Sequence, residues 1–400
     1  MTMNKTFGSM LIIAGTTIGA GMLALPLASA GLGFSTAIMI MVGIWALMTY
    51  TALLMLEIHQ YASPTATLHT LARDLLGRKG QVIATFAMLF LFYSLCAAYI
   101  AGGGAQMNDK LTHWLHLDVA PQVGTIGFTV VIAMIVSIGT HSVDMINRIL
   151  FALKVVALAT MLGLLVPHVQ GGHLVDMPVE KGLIISALPV IFTSFGFHGS
   201  IPSIVRYVGI DIRSLRKIMV IGSAVPLTIY ILWQIASQGV LSQPDLMNSG
   251  NLSMFIASLN DLLHNPMVSK SVSVFADLAL ATSFLGVSLG LFDFLSDSLN
   301  RGQQACGRLQ TALITFVPPL CFALFYPQGF IMALGYAAIA LVILALFLPV
   351  AMVNAQRKQN NEQGYQVRGG KPALIAVTLS GIAIISAQLL QMAGLIPAVG

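Results

Sequence analysis

The chain has 400 residues, of which 57% are hydrophobic and 8% are charged, and its formal net charge is +5. An average soluble domain carries roughly 25% charged residues, so this composition excludes a soluble globular protein and predicts a polytopic membrane protein. The positive charge does not indicate nucleic-acid binding, because the basic residues lie in short segments between apolar runs.

The apolar segments predict an all-α fold. A helix needs about 20 mostly apolar residues to cross a bilayer, and eleven segments of the sequence meet this criterion. No small-residue cleavage site closes the first segment, so we expect it to remain as a span. The predicted spans are 8–30, 34–57, 81–105, 123–141, 148–167, 182–203, 217–239, 271–296, 309–325, 329–353 and 373–395.

The basic residues predict the orientation of these spans. Of the 19 lysines and arginines, only Lys110, Lys181 and Lys270 fall in outer loops if the N-terminus is cytoplasmic. Because cytoplasmic loops carry an excess of Lys and Arg, we expect a cytoplasmic N-terminus and a periplasmic C-terminus. The long connections 241–270 and 357–371 are expected to be solvated.

Glycine and proline interrupt two of the spans. The first contains Gly15–Met22, and the sixth contains Phe195–Gly199 between Pro189 and Pro202. Each glycine weakens a helix by roughly 1 kcal/mol relative to alanine. The two spans are five apart, and an odd offset inverts the second copy. The pattern predicts inverted repeats over 1–167 and 182–353, with an additional helix at 373–395, and it places a transporter site at the two breaks.

The first break can bind both charged ends of an amino acid. Its N–H groups at the start of the outer half-helix suit a carboxylate, and carbonyls freed near Gly15–Thr17 suit an ammonium group. The alternative is that small residues merely allow close helix packing. The candidate substrate-binding residues here are Gly15, Thr16, Thr17, Gly19, Ala20, Gly21 and Met22.

The sixth span adds aromatic and titratable side chains. The rings of Phe195 and Phe197 can stack on an aromatic substrate, and one of them is expected to gate. His198 can exchange a proton or bond a phenol, or it can be a structural histidine bonded to a carbonyl. The candidates are Thr193, Ser194, Phe195, Gly196, Phe197 and His198, with Tyr99 of the third span.

Four further residues, together with His198, are candidates for ion coupling. Lys154 lies roughly 9 Å beyond Arg148 along its helix, where an ionisable group is functional by default unless it snorkels outward. Its ammonium could replace a bound sodium ion. Asp277 and His198 are the other proton-coupling candidates, although Asp277 could simply face an interfacial pocket. Thr282 and Ser283 could instead coordinate a cation, or bond to their own i−4 carbonyls.

Three motifs carry a family resemblance: Ile18–Leu23, Ile191–His198 and Phe275–Phe284. With them, nearly the whole chain resembles the bacterial hydroxy and aromatic amino acid permease family. The resemblance implies an eleven-helix inner-membrane protein of the LeuT-type fold, importing an aromatic amino acid, with L-tyrosine the first expectation, by proton symport. It also implies that the glycine-rich first break and Thr193–His198 form the substrate site.

Other functions remain as alternatives. They are a sodium-coupled symporter, a permease preferring tryptophan or phenylalanine, a channel, a divalent-metal transporter and an intramembrane hydrolase using Ser194 or Ser200 with His198. The serines lack a nucleophile-elbow context, so we expect no enzyme and no catalytic residues. The expected partners are the aromatic amino acid, H+ and membrane lipid, with no cofactor, metal, nucleic acid or obligate protein partner.

Overall fold

The computed structural model describes residues 2–113, 120–298, 305–359 and 364–398. Within these ranges all regular secondary structure is helical. The α-helices are α1 (Thr2–Thr17), α2 (Ala20–Ala28), α3 (Phe34–His59), α4 (Leu68–His113), α5 (Pro121–Ile138), α6 (Thr140–Leu165), α7 (Lys181–Ser194), α8 (Ile201–Val208), α9 (Ile212–Val240), α10 (Gln243–Asn248), α11 (Leu252–Leu263), α12 (Pro266–Ser298), α13 (Ala305–Phe325), α14 (Phe330–Val342), α15 (Leu348–Gln359) and α16 (Gly370–Met392).

The long apolar helices confirm a multi-pass membrane protein. Among the described residues, nine helices are long and apolar enough to cross a membrane, and ten if the bent pair α1 and α2 counts as one span. The predicted span 123–141 corresponds to α5, which is at the short limit for crossing. The count of eleven spans therefore stays a prediction.

Both predicted interruptions are breaks in the helical path. The axes of α1 and α2 differ by 52° across Ile18 and Gly19, and Gly19 has an extended backbone (φ −142°, ψ −151°). In the sixth span, α7 ends at Ser194, and a short 3-10 turn at His198–Ser200 precedes α8. Each break leaves backbone N–H and C=O groups that need partners away from lipid.

Two helices begin at least eight residues earlier than predicted. Helix α4 starts at Leu68 instead of residue 81, and Gly77 (φ 69°, ψ −164°) kinks it near that end. A positive φ of this kind favours glycine, which explains how one continuous segment can turn there. Helix α6 starts at Thr140 instead of residue 148, so Arg148 and Lys154 lie on one helix. Hydrophobicity alone missed these polar helix starts.

The connection 241–270 is not simply a solvated loop, so that expectation was wrong. It contains α10 and α11, and α11 buries Phe255 and Leu259 completely. The Phe255 ring packs edge-to-face on Trp233 at 5.9 Å between centroids. An amphipathic helix with one buried face therefore covers this end of the bundle.

The described part of the connection 357–371 is also held in place. Glu57 is almost fully buried and accepts hydrogen bonds from both Arg357 Nε (2.6 Å) and Nη2 (2.8 Å). Glu57 Oε2 accepts from the backbone N–H of Val367 at 2.8 Å, and Gln60 exchanges hydrogen bonds with the backbone of Tyr365. These hydrogen bonds attach the described part of the connection to the end of α3.

The helix packing brings the two breaks together at the centre of the bundle. Helix α1 packs on α9, and α2 packs on both α7 and α9. Helices α4 and α12 pack on each other and on α14 and α6, respectively. The residues around the breaks therefore face α4, α6, α9 and α12.

Candidate functional site

A cavity of about 650 Å³ lies where the two helix breaks meet. Its walls come from α1, α2, α4, α6, α7, α12 and α14, together with the turn that follows α7. It extends from the breaks along α1 as far as Gly8. This volume lies within the range of small-molecule pockets, roughly 300–1,000 Å³.

The first break offers backbone groups to this cavity. The N–H of Ala20, at the start of α2, donates to Ser283 Oγ of α12 at 3.2 Å. The N–H of Gly19 has no hydrogen-bond partner in the described part of the chain. Because the N-terminus of a helix carries partial positive charge, these N–H groups can bind a carboxylate.

The second break offers side chains as well as backbone. Phe197 and His198 both line the cavity and are buried, with ring centroids 5.2 Å apart. His198 Nε2 lies 2.9 Å from Thr51 Oγ1 of α3. Gly196 and Gly199, which flank these two residues in the chain, complete this wall, so the backbone also borders the cavity here.

Tyr230 of α9 links the two breaks. Its hydroxyl donates to the carbonyl of Thr17 at 2.6 Å and to that of Ser194 at 2.8 Å, sharing one proton between them. These carbonyls end α1 and α7, where helix dipoles are negative. The expectation of a free carbonyl at Thr17 was therefore wrong. Ser194 Oγ adds a second link, because it lies 3.0 Å from the carbonyl of Gly21.

Lys154 of α6 reaches the first break. Its side chain is buried, and Nζ donates to the carbonyl of Ile18 at 2.8 Å and to Thr282 Oγ1 at 3.3 Å. Nζ also lies 5.1 Å from the centroid of the Phe151 ring. The lysine does not snorkel outward, and it connects α6 to both the unwound part of the first span and α12.

Most of the sequence-predicted candidates lie on the walls of this single cavity. They come from five parts of the chain that are distant in sequence. The candidates on its walls are Gly15, Thr16, Thr17, Gly19, Ala20, Gly21, Tyr99, Lys154, Thr193, Ser194, Gly196, Phe197, His198, Thr282 and Ser283.

Three candidates do not line the cavity. Met22 has a fully buried side chain, and its carbonyl accepts from Trp233 Nε1 at 3.0 Å. Phe195 packs edge-to-face on Tyr230, with 5.0 Å between ring centroids. Asp277 forms an ion pair with Lys110 near one end of α4. These three side chains stabilise the surroundings of the cavity instead of facing it.

Several residues at the cavity had no sequence signal. Phe151 and Asn147 of α6 and Phe92 of α4 line the part that leads to Gly8. Tyr230 and Thr51 stand behind the breaks. They occur as single aromatic or hydroxyl residues in apolar helices, where such residues are common, so only the packing of α3 and α9 reveals them.

No metal centre accompanies this site in the described ranges. Among those residues, no group of three or more His, Cys, Asp and Glu side chains could hold a metal ion. The cation nearest the first break is the Lys154 ammonium. The chemistry available is hydrogen bonding, aromatic contact and protonation.

Comparison with known proteins identifies the family. The model of the tryptophan/tyrosine permease family matches residues 2–388. The chain is 43% identical to tyrosine-specific transport system 1 of Haemophilus influenzae over 99% of each protein, and 40% identical to system 2 of that organism over 100% of each. It is 31% identical to a tryptophan-specific transport protein of Shigella flexneri over 99% of this chain and 97% of the relative. These full-length matches confirm the family expected from the motifs and point to a transporter rather than an enzyme. The chain is a multi-pass bacterial membrane protein that belongs to the tryptophan/tyrosine permease family.

Proposed function

We propose that this protein is a secondary active transporter that imports L-tyrosine with a proton by alternating access. The observation that carries the proposal is the buried Lys154 ammonium, which bonds the first helix break to α12 beside the cavity. The two tyrosine-specific relatives of Haemophilus influenzae are 43% and 40% identical to this chain, against 35% for the tryptophan-specific transport protein of the same organism. This difference supports tyrosine over the alternative preference for tryptophan or phenylalanine.

The architecture proposed is the LeuT-type fold. Residues 1–167 and 182–353 would form two inverted five-helix repeats, and 373–395 an additional helix. The breaks between α1 and α2 and between α7 and α8 support this arrangement, because they lie five predicted spans apart and meet at one cavity. Broken helices at corresponding positions of two repeats are typical of transporter binding sites.

The substrate backbone would bind at the first break. A carboxylate at the start of α2 would accept from the N–H of Gly19 and compete with Ser283 Oγ for the N–H of Ala20. A side chain at Gly21 would be crowded, because a Cβ there would lie 3.1 Å from the Cα of Ser194. Close contact between the breaks thus keeps these donors beside the cavity.

The substrate ring would bind at the second break. Phe197 and Tyr99 supply aromatic faces on the cavity wall, and aromatic pairs contribute roughly 0.5–1.5 kcal/mol beyond the area they bury. His198 lies on the same wall and is the titratable group nearest to Phe197 along the chain. The first break would therefore hold the part common to all amino acids, and the second would select the side chain.

The proton would be carried by Lys154. When Lys154 is charged, its bonds to the Ile18 carbonyl and Thr282 are charge-assisted, and hydrogen bonds to charged groups contribute roughly 1.5–3 kcal/mol each. Loss of the proton weakens both bonds and lets the first break move relative to α12. Movement of these elements would change the side from which the cavity opens.

The open side of the cavity would face the cytoplasm. The cavity runs along α1 toward Gly8, and the distribution of Lys and Arg supports an N-terminus in the cytoplasm and a C-terminus in the periplasm. The proposed location is the bacterial inner membrane. The structure would then represent an inward-facing conformation, from which the amino acid leaves past Phe92 and Phe151.

Sodium coupling is the nearest rival. Thr282 and Ser283 could ligate Na+ with carbonyls of the first break, as in sodium-coupled relatives of the proposed fold. The Lys154 ammonium already bonds to the Ile18 carbonyl and to Thr282. Because the positive charge of Lys154 would repel a second cation at these oxygens, proton coupling is favoured over sodium coupling.

Uptake of labelled L-tyrosine into proteoliposomes tests the proposal. We expect saturable uptake that an inward proton gradient stimulates, and equal rates when sodium is replaced by potassium at constant pH. Liposomes without protein provide the background. Uptake that requires sodium and ignores the proton gradient would contradict the proposed coupling.

A further inference from the structure

The two ring nitrogens of His198 have different surroundings. Nε2 lies 2.9 Å from Thr51 Oγ1. Nδ1 is buried and has no hydrogen-bond partner within the described parts of the chain. A neutral imidazole carries one N–H and one acceptor nitrogen. Whether Nε2 donates to Thr51 or accepts from it therefore decides whether Nδ1 is an acceptor or a donor.

Thr51 resolves this choice through its second contact. Its hydroxyl, fully buried in α3, also lies 3.1 Å from the carbonyl oxygen of Met48. A carbonyl only accepts, and a threonine hydroxyl has one hydrogen to donate. Both contacts are hydrogen bonds only if Thr51 donates to Met48 and accepts from Nε2–H of His198. Nδ1 is then an acceptor.

The unpaired acceptor Nδ1 of His198, a residue of the cavity wall, favours a ligand that can donate a hydrogen bond. His198 is 4% exposed and lines the cavity beside the Phe197 ring. A buried acceptor without a partner is unfavourable, and a ligand that donates a hydrogen bond to it removes that cost. Nδ1 is covered in this structure, so a bound aromatic ring reaches it only after neighbouring side chains shift.

We propose that Thr51 is a positioning residue: it fixes His198 in the Nε2–H form, and Nδ1 thereby selects aromatic amino acids whose ring carries an O–H or N–H donor. This inference rests on the proposed function, because it concerns the ring end of the same substrate site. It makes the tyrosine hydroxyl a donor to the protein. Phenylalanine has no such donor, and O-methyl-L-tyrosine keeps the ring oxygen without its hydrogen.

Competition experiments in proteoliposomes separate these ligands. The inhibition of labelled L-tyrosine uptake is measured with unlabelled L-tyrosine, L-phenylalanine and O-methyl-L-tyrosine. For the wild-type protein we expect tyrosine to compete on the order of tenfold more strongly than either analogue, since a site built to bond a hydroxyl rejects ligands without it. Equal competition by O-methyl-L-tyrosine would overturn the donor requirement.

Two Thr51 variants test the positioning role. Thr51→Val removes the hydroxyl at nearly constant volume, and we expect the preference for tyrosine over O-methyl-L-tyrosine to fall to below about threefold as the ring hydrogen is released. Thr51→Ser keeps the hydroxyl and should restore the preference. A Thr51→Val protein with the wild-type preference would overturn the inference, while its tyrosine uptake would leave the proposed function standing.

Two His198 variants keep the test valid if Thr51→Val does not fold. The side-chain amide of asparagine stands near the Nδ1 position, and that of glutamine near the Nε2 position. We expect His198→Asn to retain more of the tyrosine preference than His198→Gln. The reverse order would assign the substrate contact to Nε2 and overturn the inference. Absence of tyrosine uptake by the wild-type protein would instead contradict the proposed function.

Discussion

The two helix breaks meet at one cavity but are built differently. The first break, at Ile18 and Gly19, presents backbone groups, and side chains from distant helices hold it: Lys154 bonds the Ile18 carbonyl, and Ser283 accepts from the N–H of Ala20. The second break presents its own side chains, Phe197 and His198. In the proposed function, the glycine-rich backbone would bind the groups that all amino acids share, whereas the side chains would distinguish one amino acid from another.

The two breaks are nevertheless coupled. Tyr230 donates to the carbonyls of Thr17 and Ser194, and Ser194 Oγ contacts the carbonyl of Gly21. These links involve α1, α2, α7 and α9 but neither α6 nor α12. The broken helices are therefore expected to move as one unit, with Lys154 as its titratable connection to α6.

The largest effect is expected at Lys154. Lys154→Met removes the ammonium that bonds Ile18 and Thr282, so stimulation of tyrosine uptake by a proton gradient should be abolished while tyrosine binding remains. Gradient-driven uptake and equilibrium binding of labelled tyrosine measure the two properties. Lys181→Met, on the exposed first residue of α7, is the matched control. A wild-type response to the gradient in Lys154→Met would remove the lysine from coupling.

A smaller effect should distinguish glycines of the two breaks. At Gly21 a Cβ would lie 3.1 Å from the Cα of Ser194, whereas at Gly199 it would meet no atom within 4 Å. Overpacking costs roughly 1–3 kcal/mol, so Gly21→Ala should lower tyrosine affinity about tenfold. Gly199→Ala should stay near the wild type. Similar affinities for the two variants, measured by competition binding, would contradict the close contact between the breaks.

The smallest effect is expected at the link between the breaks. Tyr230→Phe keeps the ring against Phe195 but leaves the carbonyls of Thr17 and Ser194 without their donor. Buried unsatisfied groups cost roughly 1–3 kcal/mol, so the thermal unfolding temperature in detergent should fall and the KM for tyrosine should rise a few-fold. Tyr207→Phe, on the half-exposed Tyr207, should change neither quantity. An unchanged KM in Tyr230→Phe would mean that the hydroxyl does not organise the site.

The sequence predicted the features that are unfavourable within a membrane-spanning helix. Clustered glycines in an apolar span weaken the helix, so the break at Gly19 was predictable. A lysine far inside a span is rare, so Lys154 could be singled out. Both signals are local, and each was visible without knowledge of which helices pack together.

Features that depend on packing were not predictable. Tyr230 and Thr51 act through carbonyl and imidazole groups far away in sequence, and nothing in their own helices marks them. A charged residue such as Asp277 is unusual within a span. However, Asp277 pairs with Lys110 of α4, and the Asp277 side chain does not line the cavity. The burial of α11 was missed because its 12 residues, although mostly apolar, are too few to cross a membrane.

Proton movement during tyrosine entry tests the proposed coupling most directly. Proteoliposomes that contain a pH-sensitive dye in sodium-free buffer are mixed with L-tyrosine, and the pH of the lumen is recorded together with tyrosine accumulation. The account predicts that the lumen becomes acidic as tyrosine enters, and that Lys154→Met abolishes this response. Accumulation of tyrosine by the wild-type protein without any change in lumen pH would contradict proton symport.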